Sequence, residues 1–401
     1  MYYFEKALIS LKKGNKEDYK INIINGINNC EPYAYYLGYN YPIAIDMDKY
    51  NEILDENNDF SKAAKGKMMM LDGNLDGLEL LKESNTGIAK YELYKYYLEL
   101  DDTKNAKIYL DEAIKLEFSL AYYEYAFDLK MNGPLTRFEM NGEKFFDMCD
   151  KAISYGFFDG YYAKAKLYEE GFYIAKDVNK AIELYKQLPD SEYAYRNIDL
   201  IRDYFELEDY DNAYKLCIEY IERDEMLKAI ASHYLSKIYE KKDSKYYDLI
   251  KSLVYKKSLV TSIQSETYII EIAKNYYDLG NKYMASEYIR LFNQLIEYND
   301  TCISLFDNYD DLIYEFEEYK GKKDKTNYYK LAYKFKNEGN DKEAYEASLN
   351  GFFCDQKDCY NLLADFYNKG LVVEKDLYVV DALVKASKNV LIFRKKIDVE
   401  I

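Results

Sequence analysis

The chain has 401 residues, with 55 Lys and Arg against 72 Asp and Glu, which gives a formal net charge of −17. An acidic balance of this size argues against a nucleic-acid-binding or anionic-membrane protein. No run approaches the roughly 18 apolar residues of a membrane span, and the N-terminus lacks the charged region and apolar core of a signal peptide, so we expect a soluble cytoplasmic protein.

Taken in chain order, the sequence consists of helix hairpins. Apolar residues recur at helical spacing, in runs that short turn sequences interrupt every 12 to 18 residues. The segment 111–129 matches 150–168 with a constant shift of 39 residues, which places Ala126 on Ala165. We therefore predict an all-α protein of about eleven or twelve stacked hairpins, each of which gains a hydrophobic core only from its neighbours.

Small residues explain how such hairpins can stack closely. A Gly or Ala near the end of the first helix and an Ala at the start of the second let the two backbones approach, and an aromatic side chain fills the remaining space. The segment from Ala273 to Ile289 follows this scheme, with Tyr276, Gly280 and Ala285 at these places.

The segment 161–187 resembles the Sel-one-like repeat, a helix hairpin with a characteristic loop. The matching residues are Tyr168, Gly171, Ile174, Asp177, Lys180 and Ala181. The segment 359–387 is similar but lacks the Lys-Ala pair; it matches through Ala364, Tyr367, Gly370, Val373 and Asp376. The other repeats resemble the related tetratricopeptide repeat. The resemblance implies a right-handed superhelix, an α-solenoid, whose concave face is formed by the first helix of each hairpin.

On this resemblance, one continuous solenoid is expected over 1–388, followed by a C-terminal capping tail at 389–401. The resemblance is weakest over 1–30, 60–85, 225–258 and 298–325. The best-defined repeats are 31–57, 87–118, 119–157, 158–188, 194–222, 264–296, 325–353 and 358–388.

Residues suited to catalysis or metal binding are few. His233 is the only histidine, so one chain cannot form a multi-histidine metal site, and a packing role is the more common one for such a residue. The six cysteines are scattered, and only Cys354 and Cys359 lie close together, without a second pair. The glycine motifs that bind phosphates are absent. We expect a non-enzymatic protein with no cofactor and no metal ion.

The resemblance also implies that the fifth and ninth positions of each first helix point into the concave groove. Tyrosine is enriched at the fifth position and Lys or Arg at the ninth. Tyrosine offers a large contact area, and cations select for acidic side chains or a free C-terminus, so this groove is predicted to bind a peptide. The predicted groove residues are Tyr35, Tyr91, Lys95, Tyr123, Tyr162, Lys166, Arg202, Lys274, Tyr329 and Tyr333.

Several functions stay open on the sequence alone. The leading hypothesis is an adaptor that binds a protein or peptide partner in the groove, with no nucleic acid and no membrane as partner. The second is a peptide-responsive regulator, in which a bound peptide closes the superhelix. The third is an acidic decoy that competes with nucleic acid for a basic partner. Alternatively, the tyrosines only pack between adjacent first helices, and the groove binds nothing.

Overall fold

The computed structural model describes residues 1–41, 43–131, 133, 135, 142–171, 174–189, 194–221, 225–260, 265–295 and 326–398. These residues form 22 α-helices and no strand, which confirms the all-α prediction. The helices are α1 (Tyr3–Lys12), α2 (Lys16–Asn28), α3 (Pro32–Asn40), α4 (Met47–Asp55), α5 (Asp59–Leu71), α6 (Asp76–Glu83), α7 (Gly87–Glu99), α8 (Thr103–Lys115), α9 (Ser119–Lys130), α10 (Gly142–Ser154), α11 (Asp159–Glu170), α12 (Val178–Tyr185), α13 (Ala194–Glu206), α14 (Tyr210–Tyr220), α15 (Glu225–Ile238), α16 (Leu249–Leu259), α17 (Ser265–Asp278), α18 (Lys282–Leu295), α19 (Tyr328–Asn337), α20 (Asp341–Phe353), α21 (Lys357–Lys369) and α22 (Leu377–Asp398).

Consecutive helices pack against each other as hairpins, as predicted. The chain divides into two compact units, 1–196 and 197–401, and each unit has its own hydrophobic core. Within unit 1 the paired helices include α5 with α6, α7 with α8 and α11 with α12; within unit 2 they include α15 with α16, α17 with α18, α19 with α20 and α21 with α22. The continuity of one solenoid over 1–388 stays a prediction.

The two loops whose sequence resembles the Sel-one-like pattern have the geometry that their residues require. Gly171 ends α11 with a φ of 71°, a left-handed conformation that Gly adopts without steric cost. The Asp177 N–H donates to the Tyr168 carbonyl at 2.9 Å, and the Asp177 carboxylate caps α12 by accepting from the Lys180 N–H. The loop between α21 and α22 repeats this arrangement: Asp376 donates to the Tyr367 carbonyl at 3.1 Å.

A third loop of this kind connects α15 to α16, in a stretch where the sequence resemblance is weak. The Asp248 N–H donates to the Tyr239 carbonyl at 2.9 Å, and the Asp248 carboxylate caps α16. Ser236 takes the small position three residues before the tyrosine and is fully buried. Lys242 stands where the other two loops have Gly. The missing glycine explains why the sequence pattern alone did not reveal this repeat.

Helices approach so closely at several crossings that only a small residue fits. A Cβ atom added at Gly66 would lie 2.7 Å from the Gly77 carbonyl oxygen, and one added at Gly160 would lie 2.6 Å from that of Cys149. Real Cβ contacts are not this short, so these positions require Gly.

The last helix does not end at residue 388, where the capping tail was expected to begin. Instead α22 continues to Asp398. From within this continuation, the Asn389 side chain donates to the carbonyls of Lys257 and Ser258 at 2.9 and 3.3 Å, near the end of α16. The C-terminal helix therefore packs on α16, which lies more than 100 residues earlier in the chain.

The fully buried alanines provide a test of the helix packing. We expect Ala165→Leu in unit 1 and Ala273→Leu in unit 2 each to lower the free energy of unfolding by about 1–3 kcal/mol, because the added atoms overpack a helix crossing. Urea denaturation measures this loss. The matched control is Ala175→Leu at an exposed loop position. If the two core variants unfold at the same urea concentration as the control, the packing described here is wrong.

Candidate binding surface

Three of the predicted groove tyrosines lie in the core of unit 1. Tyr35 is 2% exposed and stacks on Tyr50 with 5.9 Å between ring centres. Tyr91 is 4% exposed and donates a hydrogen bond of 2.8 Å to the Glu124 carboxylate, and burial raises the pKa of its phenol well above the usual value. Tyr162 is buried as well. Tyr91 packs between two first helices, α7 and α9, as the alternative interpretation of the sequence states, whereas the Tyr35 and Tyr162 rings contact tyrosines of the second helix of their own hairpin.

The cations at three of the predicted groove positions are paired with acids of their own helix. Each pair joins residues three positions apart, a spacing at which side chains on one helix meet. The pairs are Lys95 with Glu92 at 2.6 Å, Lys166 with Glu169 at 3.2 Å, and Arg202 with Asp199 at 2.7 Å. The acids are visible in the sequence at these spacings, so this neutralisation could have been predicted.

In unit 1, helix α1 contacts the face of α9 that carries Tyr123 and Glu124. The Lys12 Nζ lies 2.9 Å from a Glu124 carboxylate oxygen and 4.5 Å from the centre of the Tyr123 ring. The adjacent Lys13 donates to the Tyr155 carbonyl at 2.7 Å. Tyr123 was predicted to contact a partner peptide, but in this structure its ring face contacts the chain's own lysine.

Helix α1 is also fixed to α9 through a buried carboxylate. Glu5 is 7% exposed, and it accepts a hydrogen bond of 2.9 Å from the Ser119 N–H at the start of α9. In a simple repeat array each hairpin contacts only its neighbours. The contact between α1 and α9 joins two hairpins of unit 1 that are not neighbours in the sequence.

In unit 2, a buried lysine of α16 connects helices that are distant in sequence. The Lys257 side chain is 2% exposed, and its ammonium donates to the hydroxyls of Tyr276 at 2.6 Å and Tyr360 at 2.8 Å and pairs with Asp355. An ammonium has three donors, so these acceptors satisfy it. The Phe352 ring centre lies 4.6 Å away and adds a cation–π contact. Lys257 thereby ties α16 to α17, α20 and α21.

The preceding lysine is buried too. The Lys256 Nζ lies 2.5 Å from Glu240 and 3.2 Å from Glu271, which are on the two sides of α16 in sequence, and it donates to the Asn275 side chain. Two consecutive lysines in a helix ordinarily indicate a solvated face. The sequence analysis therefore missed that both lysines are buried. The available signal was that α16 contains three lysines and no acid.

His233 is a packing residue in the described structure. Its Nδ1 lies 3.1 Å from the Tyr268 hydroxyl. Burial, together with the positive charges of Lys237 and Lys256, lowers the pKa of the imidazole to about 4, so it is neutral at neutral pH.

Burial also raises the pKa of the Cys149 and Cys359 thiols to about 12, which makes them poor nucleophiles.

The remaining predicted groove residues are accessible, and they lie in unit 2. Tyr329 is 37% exposed and Tyr333 is 53% exposed, and their ring centres are 6.2 Å apart on α19. Lys330 and Lys334 of the same helix are exposed, as is Lys274 of α17. Helix α19 contains three lysines and no acid. We call Tyr329, Lys330, Tyr333 and Lys334 the α19 face.

The described part of the chain contains no group of three or more His, Cys, Asp and Glu side chains arranged to bind a metal ion. None of its helices combines the length and the apolar character needed to cross a membrane.

Comparison with known proteins gives a likeness of fold and no likeness of sequence. No family model matches the chain, and no curated protein matches it in sequence. Among solved structures, the chain is similar to a protective antigen present in uropathogenic Escherichia coli strains, whose crystal structure displays an SLR (Sel-one-like repeat) fold. The two are 13% identical with a TM-score of 0.40, over 94% of this chain and 83% of that chain. A likeness at this level concerns the fold alone, so the function has to be argued from side chains.

Replacing Lys257 tests whether the buried ammonium stabilises unit 2. We expect Lys257→Met to lower the free energy of unfolding by about 3 kcal/mol, because the largely buried Asp355 loses its cation and keeps only the hydrogen bonds from the Tyr288 and Tyr360 hydroxyls. The control Lys245→Met removes an exposed ion pair and should change stability by less than about 1 kcal/mol. Adding Asp355→Asn to Lys257→Met should restore part of the loss. An equal loss of unfolding free energy in Lys257→Met and Lys245→Met would contradict the assignment.

The single histidine allows a clean test by pH. The unfolded chain takes up a proton at His233 near pH 6.5 and the folded chain only near pH 4, so the folded state loses stability as the pH falls through this interval. Between pH 7 and pH 4 this contribution amounts to about 3 kcal/mol. The variant His233→Gln should lack it, so the difference in unfolding free energy between parent and variant should change by this amount. A difference that does not vary with pH would show that His233 is accessible and unperturbed.

Proposed function

We propose that the chain is a non-enzymatic, cytoplasmic scaffold that binds a protein or peptide partner through tyrosine- and lysine-bearing helix faces. The observation that carries the proposal is the α19 face, where two neighbouring tyrosines remain exposed beside lysines. Tyrosine is enriched among the residues that contribute most to binding, since it offers a large rigid ring with a polar end.

The predicted groove residues differ in accessibility, and this difference locates the proposed site. The inner tyrosines of unit 1 are buried in the core or covered by α1. Tyr329 and Tyr333 on α19 and Lys274 on α17 are exposed. The Lys95 and Arg202 side chains are 38% and 37% exposed, but each is paired with an acid of its own helix. We therefore assign the partner to this part of unit 2 and not to the inner face of unit 1.

The proposal predicts that partner binding depends on the exposed tyrosine pair. The full chain with Tyr329→Ala and Tyr333→Ala should bind its partner roughly 10- to 100-fold more weakly, in the range of interface hot spots, because both rings leave the contact area. Affinity capture from lysate with quantitative mass spectrometry measures this loss protein by protein. The matched control is Tyr247→Ala, which removes a tyrosine that is 41% exposed elsewhere in unit 2.

The result is decisive in both directions. Proteins that bind the parent and the Tyr247→Ala control but not the double variant support the proposed surface. If the double variant captures the same proteins in the same amounts as the parent, the α19 face is not the binding site.

A further inference from the structure

We propose that the partner segment is acidic and that its carboxylates bind at a two-lysine site between α19 and α21, where Lys336 and Lys369 share the single carboxylate of Asp365. This inference rests on the proposed function and deepens it by naming the chemistry of the partner. It is independent of the likeness to any solved structure.

The two lysines come from different helices and meet at one oxygen atom. The Nζ atoms of Lys336 and Lys369 lie 2.5 and 2.9 Å from Asp365 Oδ2. Two positive charges against one negative charge leave a local surplus of one positive charge. Lys369 is 50% exposed, so its ammonium can contact a second carboxylate from solvent. The site is therefore neither buried nor neutral.

Asp365 stays ionised in this position. Partial burial alone would raise the pKa of its carboxyl, but hydrogen bonds and the positive charges of Lys336 and Lys369 outweigh burial and hold it below the usual value. Asp365 consequently competes with any incoming carboxylate for the same two donors.

The α19 face adjoins this site and adds to its positive charge. Tyr333 precedes Lys336 by three residues, a spacing at which side chains on a helix are neighbours. Lys330 and Lys334 are exposed on the same helix, whose own residues include no acid; Glu338, the residue directly after it, lies 3.9 Å from Lys334 and partly offsets the charge of that lysine. In a chain with a net charge of −17, such a surface attracts an acidic segment locally and offers tyrosine rings for its apolar side chains.

A short acidic peptide fits this pattern better than nucleic acid does. A nucleic acid carries a charge at every phosphate, so a long strand meets the acidic remainder of the protein as well as the lysines. A short segment with a few carboxylates meets mainly the local positive surface. The charge distribution therefore favours the peptide.

The probe is a short synthetic peptide with Glu at every second position, and its matched counterpart has Gln at these positions. Fluorescence anisotropy with the full chain measures binding at low salt and at physiological ionic strength. We expect Lys369→Glu to weaken binding of the Glu peptide at least about 5-fold and Asp365→Asn to strengthen it about 3-fold or more, with both effects smaller at the higher salt. The Gln peptide should bind weakly to all variants.

The control variant is Lys242→Glu, which makes the same charge change at an exposed turn of unit 2. Its effect should stay below about 2-fold. Equal weakening by Lys242→Glu and Lys369→Glu would overturn the proposal, because the effect would then reflect overall charge. Absence of Glu-peptide binding to both the parent and Asp365→Asn would overturn it too.

Two further outcomes would also reject an acidic peptide as the partner. The first is equally tight binding of a single-stranded oligothymidine of the same length. The second is self-association of the chain that Lys369→Glu abolishes, which would make a second copy the partner. If the Glu peptide fails to bind while the captured partner still requires Tyr329 and Tyr333, the proposed function stands and only this inference falls.

Discussion

Contacts of a lysine ammonium with tyrosine and a carboxylate join helices that are distant in sequence within each unit. In unit 1 the group is Lys12, with Tyr123 and Glu124; in unit 2 it is Lys257, with Tyr276, Tyr360 and Asp355. The aromatic face attracts the cation and the carboxylate neutralises it. In unit 2, the tyrosine hydroxyls also accept hydrogen bonds from the ammonium. A chain with 50 tyrosines, one histidine and no tryptophan makes these contacts with tyrosine.

These contacts change the kind of structure that the repeats build. A repeat array stabilised only by neighbouring hairpins opens and closes piece by piece. Here Lys257 joins α16 to helices about 100 residues later, and Glu5 and Lys12 join α1 to α9. Burying an ammonium costs free energy that its partners must offset, so the contact is stabilising only in the one arrangement that satisfies all three donors. That requirement specifies how the distant helices of unit 2 pack around Lys257. In unit 1, where Lys12 is 35% exposed, the buried carboxylate of Glu5 has this role.

The sequence was sufficient for the local structure. Helical spacing predicted the hairpins, and the Gly and Asp of the Sel-one-like pattern predicted the loops after Gly171 and Gly370, because a left-handed residue and a helix cap have strict residue preferences. The same dependence on Gly hid the loop before Asp248, where Lys242 takes its place. Lys242 does not adopt the left-handed conformation of Gly171 and Gly370, so this loop shares with the other two only the hydrogen bond from Asp248 to the Tyr239 carbonyl and the helix cap.

The candidate site was only partly predictable, because accessibility is a long-range property. The positions that carry Tyr91 and Tyr329 look alike in sequence, yet one is 4% exposed and the other 37%. The difference depends on which distant segment packs against each helix, and that cannot be read from spacing within a repeat. The pairing of Lys95 with Glu92 was readable, since both residues lie on one helix three positions apart.

Lysine footprinting tests the central claim most directly, namely that buried lysines of α16 join distant helices of unit 2 while the α19 face remains exposed. The native chain is acetylated for a short time and the modified lysines are quantified by mass spectrometry. The account predicts that Lys256 and Lys257 remain unmodified while Lys330 and Lys334 react as fast as in the unfolded chain. Acetylation of Lys257 at the rate of Lys330 would contradict it.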